Sequence, residues 1–543
     1  MYADLASMPS DLQPKSSLRQ RRNPMARLII RLGFAAVLFF SLLPAVAAQS
    51  TPTGSDELVQ GSSIQGPSSF PLVKLSADTF HNSDSEHKTE VEPDTFAWGS
   101  TIVSTFQVAR VYAHGGADIG FATSTDGGKT WTSGYLPGLT VNYKGGSLAS
   151  ASDPAVAYDA KHGQWLISAL AIPPNPDYGV AVSISRSTDG IHWNKPIITD
   201  QSSRDDKNWI ICDNTATSPY YGNCYTEWDE PNSNDQIFMS TSTDGGLTWG
   251  PAKSTADQAI GIGGQPLVQP NGTVVVPIEG LSGNGGMVAF SSSDGGKSWS
   301  STVTVAAINF HTEDGNLRSS PMPSAQIDGA GKVYVVWSDC RFRKGCGSND
   351  IVLSTSTNGK TWTKPARIPI DSINSTVDHF IPGLGIDLAT SGTKAHLAVT
   401  YYYYPVASCD DSCKLEVGFA TSQDGGKTWT AGKHLAGPMN LDWVAPSQNG
   451  QMVADYLAVA YANGRPFGVF AVAKPPSGGL LNEAMYTTRD PLQTSADEPR
   501  FSSRGEKPVA KSPYMMKYYD DDGDYPIPPS NQLPNRNSSS TPE

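Results

Sequence analysis

Charge is scarce in this sequence. Only 17 % of its 543 residues are Asp, Glu, Lys or Arg, and 39 basic against 52 acidic residues leave a formal net charge of −13. No run rich in Lys and Arg occurs outside residues 18–31. That excludes a nucleic-acid surface, because neutralising phosphates takes clustered cations. After residue 48 no stretch is long and apolar enough to span a bilayer. Cysteine is scarce too, at six residues, and CDDSC (Cys409–Cys413) lacks the four ligands at short spacing that a zinc site needs. No metal or cofactor is therefore expected. What remains, 38 % hydrophobic and 9 % aromatic residues, is enough to bury a large core.

Residues Leu32–Ala48 read LGFAAVLFFSLLPAVAA, follow Arg21, Arg22, Arg27 and Arg31, and end in small residues. This pattern predicts a secretory signal within an extension over residues 1–48, with a start at Met25 giving normal signal proportions. An uncleaved anchor is the alternative. The cysteines agree with export: they form three close pairs, Cys212/Cys224, Cys340/Cys346 and Cys409/Cys413, and nearest-neighbour disulfides are expected. Sequons at Asn271, Asn374 and Asn537 fit a secreted, extracellular glycoprotein. No membrane association is expected once the signal is removed.

Six segments share one pattern: STDGGKTW, STDGIHW, STDGGLTW, SSDGGKSW, STNGKTW and SQDGGKTW. Their markers, Asp126, Asp189, Asp244, Asp294, Asn358 and Asp424, lie 63, 55, 50, 64 and 66 residues apart, the period of a propeller or solenoid. The motif reads as structural. Gly-Gly supplies positive φ in a tight turn, the Asp carboxylate accepts from the turn's own amides, and the Trp fills space beside its sheet. Six equivalent turns around a ring cannot converge on one substrate.

Alternating apolar segments recur around each motif, as in Asp153–Asp159, Gln164–Ile172 and Gly179–Ser187. A seventh set over Ala454–Arg489 lacks the motif and has three strands, and Phe70–Phe80 supplies a fourth. The expected fold is all-β: a β-propeller of seven blades of four antiparallel strands, with six blades as the alternative. The domains expected are a linker with a ring-closing strand over 49–85, the propeller over 86–490, and a disordered acidic, Pro- and Ser-rich tail over 491–543.

In such a fold the starts of the first strands and the loops between second and third strands share one face, opposite the motif turns. The strand starts carry Glu92, Asp94, Asp153, Asp206, Lys207, Gln265, Arg318, Asp378, His379, Asp455 and Tyr456. Loops Asp339–Asp350, Tyr401–Cys413 and Glu227–Glu230 join them. A polar ring around a channel mouth is the site hypothesis. Its catalytic candidates are Glu92, Asp153, Asp206, His379 and Tyr456. Its substrate-binding candidates are Arg318, Arg341, Arg343, Lys207 and Asp455, with Arg able to fork onto a carboxylate. Tyr401–Tyr404 offers aromatic rings for sugars, at most two on one surface.

The six S-x-D-G-G-x-T-W turns resemble the Asp-box repeats of the sialidase-like (BNR) superfamily over Glu92 to about Arg489. The resemblance implies a secreted protein acting on an extracellular glycan or polysaccharide, as a monomer and in the manner of a glycoside hydrolase. The sialidases themselves carry Arg-Ile-Pro before the first box, an arginine triad, a Tyr nucleophile backed by Glu, and an Asp acid/base. This chain has no Arg-Ile-Pro, and its nearest arginine there is Arg110. A polysaccharide lyase using His379, Tyr456, Arg318 and Lys207, and a non-catalytic glycan- or protein-binding propeller, are the other readings.

Overall fold

The computed structural model describes residues 70–174, 180–199, 204–282, 285–490, 492 and 498–509. The signal segment, most of the 49–85 linker, Asn537 and the tail beyond residue 509 lie outside the described residues. Among the described residues no helix is long and apolar enough to cross a membrane.

The described residues form antiparallel sheets in seven successive units of four strand positions, beside two small two-stranded sheets, Trp429–Thr430 with Arg500–Phe501 and Ala445–Ser447 with Gly450–Met452. Unit 1 comprises Ser85–Trp98, Thr101–Val111, Gly116–Ser124 and Thr132–Tyr135, and unit 2 comprises Ser150–Asp159, Gln164–Ile172, Ala181–Ser187 and Ile197–Ile198; a single pairing, Gly116 with Ala151, joins them into one sheet. Unit 3 is Asp206–Cys212, Cys224–Glu230, Gln236–Ser242 and Lys253–Ser254. In unit 4 the first position is split between Gly261–Ile262 and Leu267–Val268, followed by Val274–Gly280, Gly286–Ser292 and Val303–Ala306. Unit 5 is Ser324–Ile327, Val333–Asp339, Asp350–Ser356 and Ala366–Arg367; unit 6 is Asp378–Ile386, Leu397–Tyr404, Lys414–Ser422 and Lys433–Asn440. Unit 7 is Ala458–Ala462, Arg465–Ala473 and Glu483–Thr488, completed by Leu72–Lys74 from the other end of the chain, Val73 pairing with Thr487.

The apolar residues gather between units rather than within one centre. Val103, Ile119 and Phe121 of unit 1 pack with Val156, Trp165 and Ile167 of unit 2. Leu166 and Leu170 meet Ile210 and Trp228 across the next seam, and Tyr334 and Ile351 meet Leu384 and Leu397 between units 5 and 6. Ile102 of unit 1 packs against Ala460 and Phe467 of unit 7. Each sheet is buried on both faces, which explains strands such as Leu397–Tyr404 with every residue buried. Tyr401–Tyr404 is therefore core, with exposures of 0–2 %, and offers no stacking surface.

The repeated turns are built as their residues dictate. Asp126 Oδ1 accepts from Lys129 N (3.0 Å) and Thr130 N (2.9 Å), and its Oδ2 from Thr130 Oγ1 (2.7 Å). Asn358 holds its turn through Oδ1 in the same way. The last glycine of each motif is left-handed and lies against the preceding unit: Gly190 on Val103, Gly246 on Leu166, Gly296 on Tyr225, Gly359 on Val275 and Gly426 on Leu353. Gly128 of unit 1 lies against Phe467 of unit 7, where a Cβ would come within 2.2 Å of the ring. The motif glycine is thus required twice, for its φ and for close approach.

The three disulfides are the nearest-neighbour pairs Cys212–Cys224, Cys340–Cys346 and Cys409–Cys413. The expected structureless tail is corrected over residues 498–509: Arg500–Phe501 pairs with Trp429–Thr430, Glu506 faces Arg367, and Val509 N donates to Arg341 O. Backbone hydrogen bonding to unit 6 orders this stretch despite its polar composition. Glu227–Glu230, expected as a loop, belongs to the second strand of unit 3, because Trp228 is core and its neighbours alternate around it.

Candidate functional site

The first strands of units 1, 2 and 3 each lose register, between Val91 and Asp94, Ser152 and Ala155, and Asp206 and Trp209, unit 1 also between Glu86 and Glu90. At each of the first three breaks a charged residue adopts left-handed backbone: Glu92 (φ 56°), Asp153 (φ 47°) and Lys207 (φ 48°). Each such conformation costs about 1–3 kcal/mol, and bulges of this kind re-aim a side chain. The three side chains converge. Lys207 Nζ lies 3.1 Å from Asp153 Oδ2, 3.9 Å from Glu92 Oε1 and 3.4 Å from Asp455 Oδ2, the last just before the first strand of unit 7. It also sits 4.2 Å from the centroid of the Tyr456 ring. Arg318, just before unit 5, forks onto Asp455 through Nε–Oδ1 (2.9 Å) and Nη2–Oδ2 (2.5 Å). These six residues are 0–4 % exposed.

Neutral groups hold the carboxylates in place. Gln107 Nε2 donates to Glu92 Oε2 and to Ser152 Oγ (2.9 Å), and Ser152 Oγ donates to Asp153 Oδ1 (2.6 Å). Arg110 Nη1 donates to Gln107 Oε1 (3.0 Å) and so orients the amide.

Electrostatics separates the carboxyls into two kinds. Burial, then repulsion by Asp153, raises Glu92 well above the usual carboxylate range, against the pull of Lys207. Asp455 behaves oppositely: burial would raise it, but Arg318 and Lys207 outweigh burial and hold it well below its ordinary value. Burial likewise works against charge on Lys207, and Asp153, Asp455 and Glu92 overcome it, so the ammonium is held more strongly than in water. Glu92 therefore holds its proton far more tightly than Asp455 does. Carboxyls whose environments push their affinities apart are the raw material of acid/base chemistry.

Asp206 flanks this cluster rather than joining it. It pairs across the ladder with Asp229, whose carboxyl is raised by burial and then by Asp206, Glu227, Asp235 and Asp153. Glu227 is raised by burial, opposed by the Gly264 amide and Lys207. Neither Glu227 nor Asp229 was among the expected catalytic or binding residues, because EWDE reads as a connecting loop at the ring rather than a buried strand.

A second group lies next to Arg318. Ser319 Oγ donates to Glu313 Oε2, Asn349 Nδ2 donates to Glu313 Oε1 (3.1 Å), and Asn349 N donates to Asp378 Oδ1 (2.6 Å). One asparagine thus bridges two buried carboxyls. Burial raises Asp378 to about 7, and Asp378 adds to burial in raising Glu313. His311 Nε2 lies 3.7 Å from Asp378 Oδ2, and its side chain is 24 % exposed. Glu313 sits in HTED (His311–Asp314), five residues before Arg318, a position the repeat pattern does not mark.

His379, Arg341 and Arg343 are not brought to the Lys207 cluster. Arg341 forks onto Asp339 (Nε–Oδ1 2.7 Å, Nη2–Oδ2 2.5 Å). Arg343 spans Asp350 (2.5 Å) and Asp371 (2.9 Å), which also accept from Arg367 at 2.8 and 2.6 Å. His379 packs edge-on to Tyr401 with Nε2 3.8 Å from Asp371 Oδ2. Asp350, Asp371 and His379 lie close enough together for a metal ion. Two guanidiniums already bind the same carboxylate oxygens, however, so the donor set does not suit a divalent cation. The lyase set is corrected by the same geometry: His379 is in another cluster. Tyr456 is an unsuitable base, since its hydroxyl donates to Pro154 O (3.2 Å) and burial raises it well above the usual phenol range.

Residues 220–386 match the family described as BNR repeat-like domain. No curated protein matches the chain. Among solved structures, a Hadza microbial sialidase is similar over 70 % of this chain and 74 % of its own (14 % identity, TM-score 0.38). The NanB sialidase of Streptococcus pneumoniae is similar over 78 % and 71 % (14 %, 0.39), and an α-L-arabinofuranosidase of Fusarium graminearum over 65 % and 98 % (12 %, 0.38). At these scores the likeness carries no argument about activity.

Proposed function

On a chain of the sialidase-like BNR-repeat superfamily, we propose a secreted, seven-bladed β-propeller that hydrolyses an extracellular glycan at the mouth where the first strands begin. The seven units, the seating of each repeated turn on the preceding unit, the contact of Gly128 with Phe467, and the closing strand Leu72–Lys74 support the ring. The hydrolase reading is carried by one observation: Glu92, Asp153 and Lys207, each on a strained bulge of a different unit, meet Asp455 and Arg318. Protonated Glu92 donates to the leaving oxygen, while Asp153 or Asp455 stabilises the developing positive charge or activates water. Lys207 and Arg318 hold Asp455 ionised, and Lys207 fixes Asp153 beside it.

The test is a mass-spectrometric product screen of the mature protein on neutral, amino-sugar, uronate and sialylated glycans, with Glu92→Gln and Asp153→Asn alongside. The hydrolase reading expects a released sugar that both variants lose while still binding. The deep burial of the cluster favours a second reading, a non-catalytic glycan-binding propeller. That reading expects no product from any glycan and a change in affinity alone.

A further inference from the structure

At this mouth the carboxyls outnumber the cations, and the cations are committed. Arg318 is forked onto Asp455, Lys207 is shared by Asp153 and Asp455, Arg341 is forked onto Asp339, and Arg343 and Arg367 are shared by Asp350 and Asp371. A sugar carboxylate would have to displace one of these partners and leave a buried carboxylate uncompensated. The Glu313–Asp378 pair is the reverse case. Asp378 is fully buried, its Oδ2 and the facing His311 Nε2 lack hydrogen-bond partners, and the His311 side chain beside them is 24 % exposed. The pair has acceptors to spare and, among the described residues, no Lys or Arg within ion-pair distance; the one basic group at that distance is the imidazole of His311, 3.7 Å from Asp378 Oδ2.

We propose that the glycan recognised here carries protonated amino groups, and that one ammonium is held by Glu313 and Asp378, with Asn349 positioning both carboxyls. The proposal rests on the glycan-hydrolase reading above and names its substrate class. The bound ammonium takes the place that a lone proton holds in the free protein, so binding releases protons from the pair. The other charged or titratable groups facing it are His311, Arg343, Asp350 and Tyr404. Arg343 already favours ionised Asp378, whereas burial and Asp350 oppose it. Affinity therefore rises as pH rises from 5 toward 7, as long as the sugar amine stays protonated.

The experiment is calorimetric titration of the mature protein with a glucosamine oligomer bearing free amines, its N-acetylated counterpart and 3′-sialyllactose, in two buffers of different ionisation enthalpy. The expected result is binding of the free-amine oligomer at least ten-fold tighter than the other two, with proton release, weakened by added salt. Asp378→Asn, whose amide oxygen still accepts from Asn349 N, and Glu313→Gln, whose single amide oxygen keeps one of the two bonds from Asn349 and Ser319, are expected to lose about that factor and the proton release; thermal unfolding checks that both are folded. Equal or tighter binding of the acetylated or sialylated probe overturns the ammonium site. If that probe is also cleaved, the hydrolase reading survives alone. If no glycan is bound or cleaved, both fall.

Discussion

The protein uses the carboxyl group to opposite ends in its repeated turns and around its strand starts. In the repeated turns Asp126 is solvent-exposed, and hydrogen bonds from Thr130 and its neighbours hold it below the usual carboxylate range. Asp244 is held low too, since the bonds from Thr248 outweigh its slight burial. At the strand starts Glu92 and Asp378, and in the connection before unit 5 Glu313, are buried and raised. An aspartate that accepts three local hydrogen bonds in water stabilises a turn and stays ionised. A carboxyl sealed among other carboxyls becomes a proton store. Buried carboxyls of the second kind that gather with cations and bulges are where chemistry is to be sought.

Lys207→Met tests the contrast most severely. It leaves Asp153 and Asp455 buried beside each other without the ammonium, and a loss of about 3–5 kcal/mol is expected from denaturant unfolding, typical for breaking a buried pair. Unchanged stability would mean that the cluster is hydrated and weakly coupled. Glu92→Gln is expected to do the reverse: the protonated acid is replaced by an amide of the same shape, so stability moves by under about 1.5 kcal/mol while turnover disappears.

A pH series separates the two kinds of carboxyl. Asp94, Asp378 and Glu90 are raised to about 7 and Asp118 to about 8, burial being the main cause in each. Groups raised on folding stabilise fully below their unfolded values near 4, and that stability is lost as pH rises toward 7–8. The turn aspartates, lowered on folding, stabilise above that range and fail below it. The melting temperature should therefore peak between about pH 4 and 6 and fall by pH 8; a maximum above pH 7 would refute the assignment. The smallest effect is expected from Asp126→Ala, which should lower the melting temperature slightly and leave glycan turnover intact. Lost turnover there would give the turns a role beyond folding.

Much of this architecture was legible in the chain. The spacing of Asp126 to Asp424 marks six units, the strand set over Ala454–Arg489 marks a seventh, and Phe70–Phe80 contains the closing strand, observed at Leu72–Lys74. The site was legible only in part. Glu92, Asp153, Lys207, Arg318, Asp455 and Tyr456 meet, and their common position at strand starts was the signal. Glu313 was missed because it sits in a connection without periodicity, and Glu227 and Asp229 because EWDE reads as a loop. Arg341 and Arg343 were assigned to a ligand because partners such as Asp339 and Asp371 cannot be matched to them from sequence distance.

By itself the sequence determined the repeat, and with it the turns and the cysteine pairing, because these are local: a glycine's φ, an aspartate's reach over four residues, a close pair of thiols. Only the tertiary structure decided which carboxyls are protonated and which cations are spent. Those properties depend on burial and on charges up to 248 residues apart, as Lys207 and Asp455 are, and no local pattern encodes them.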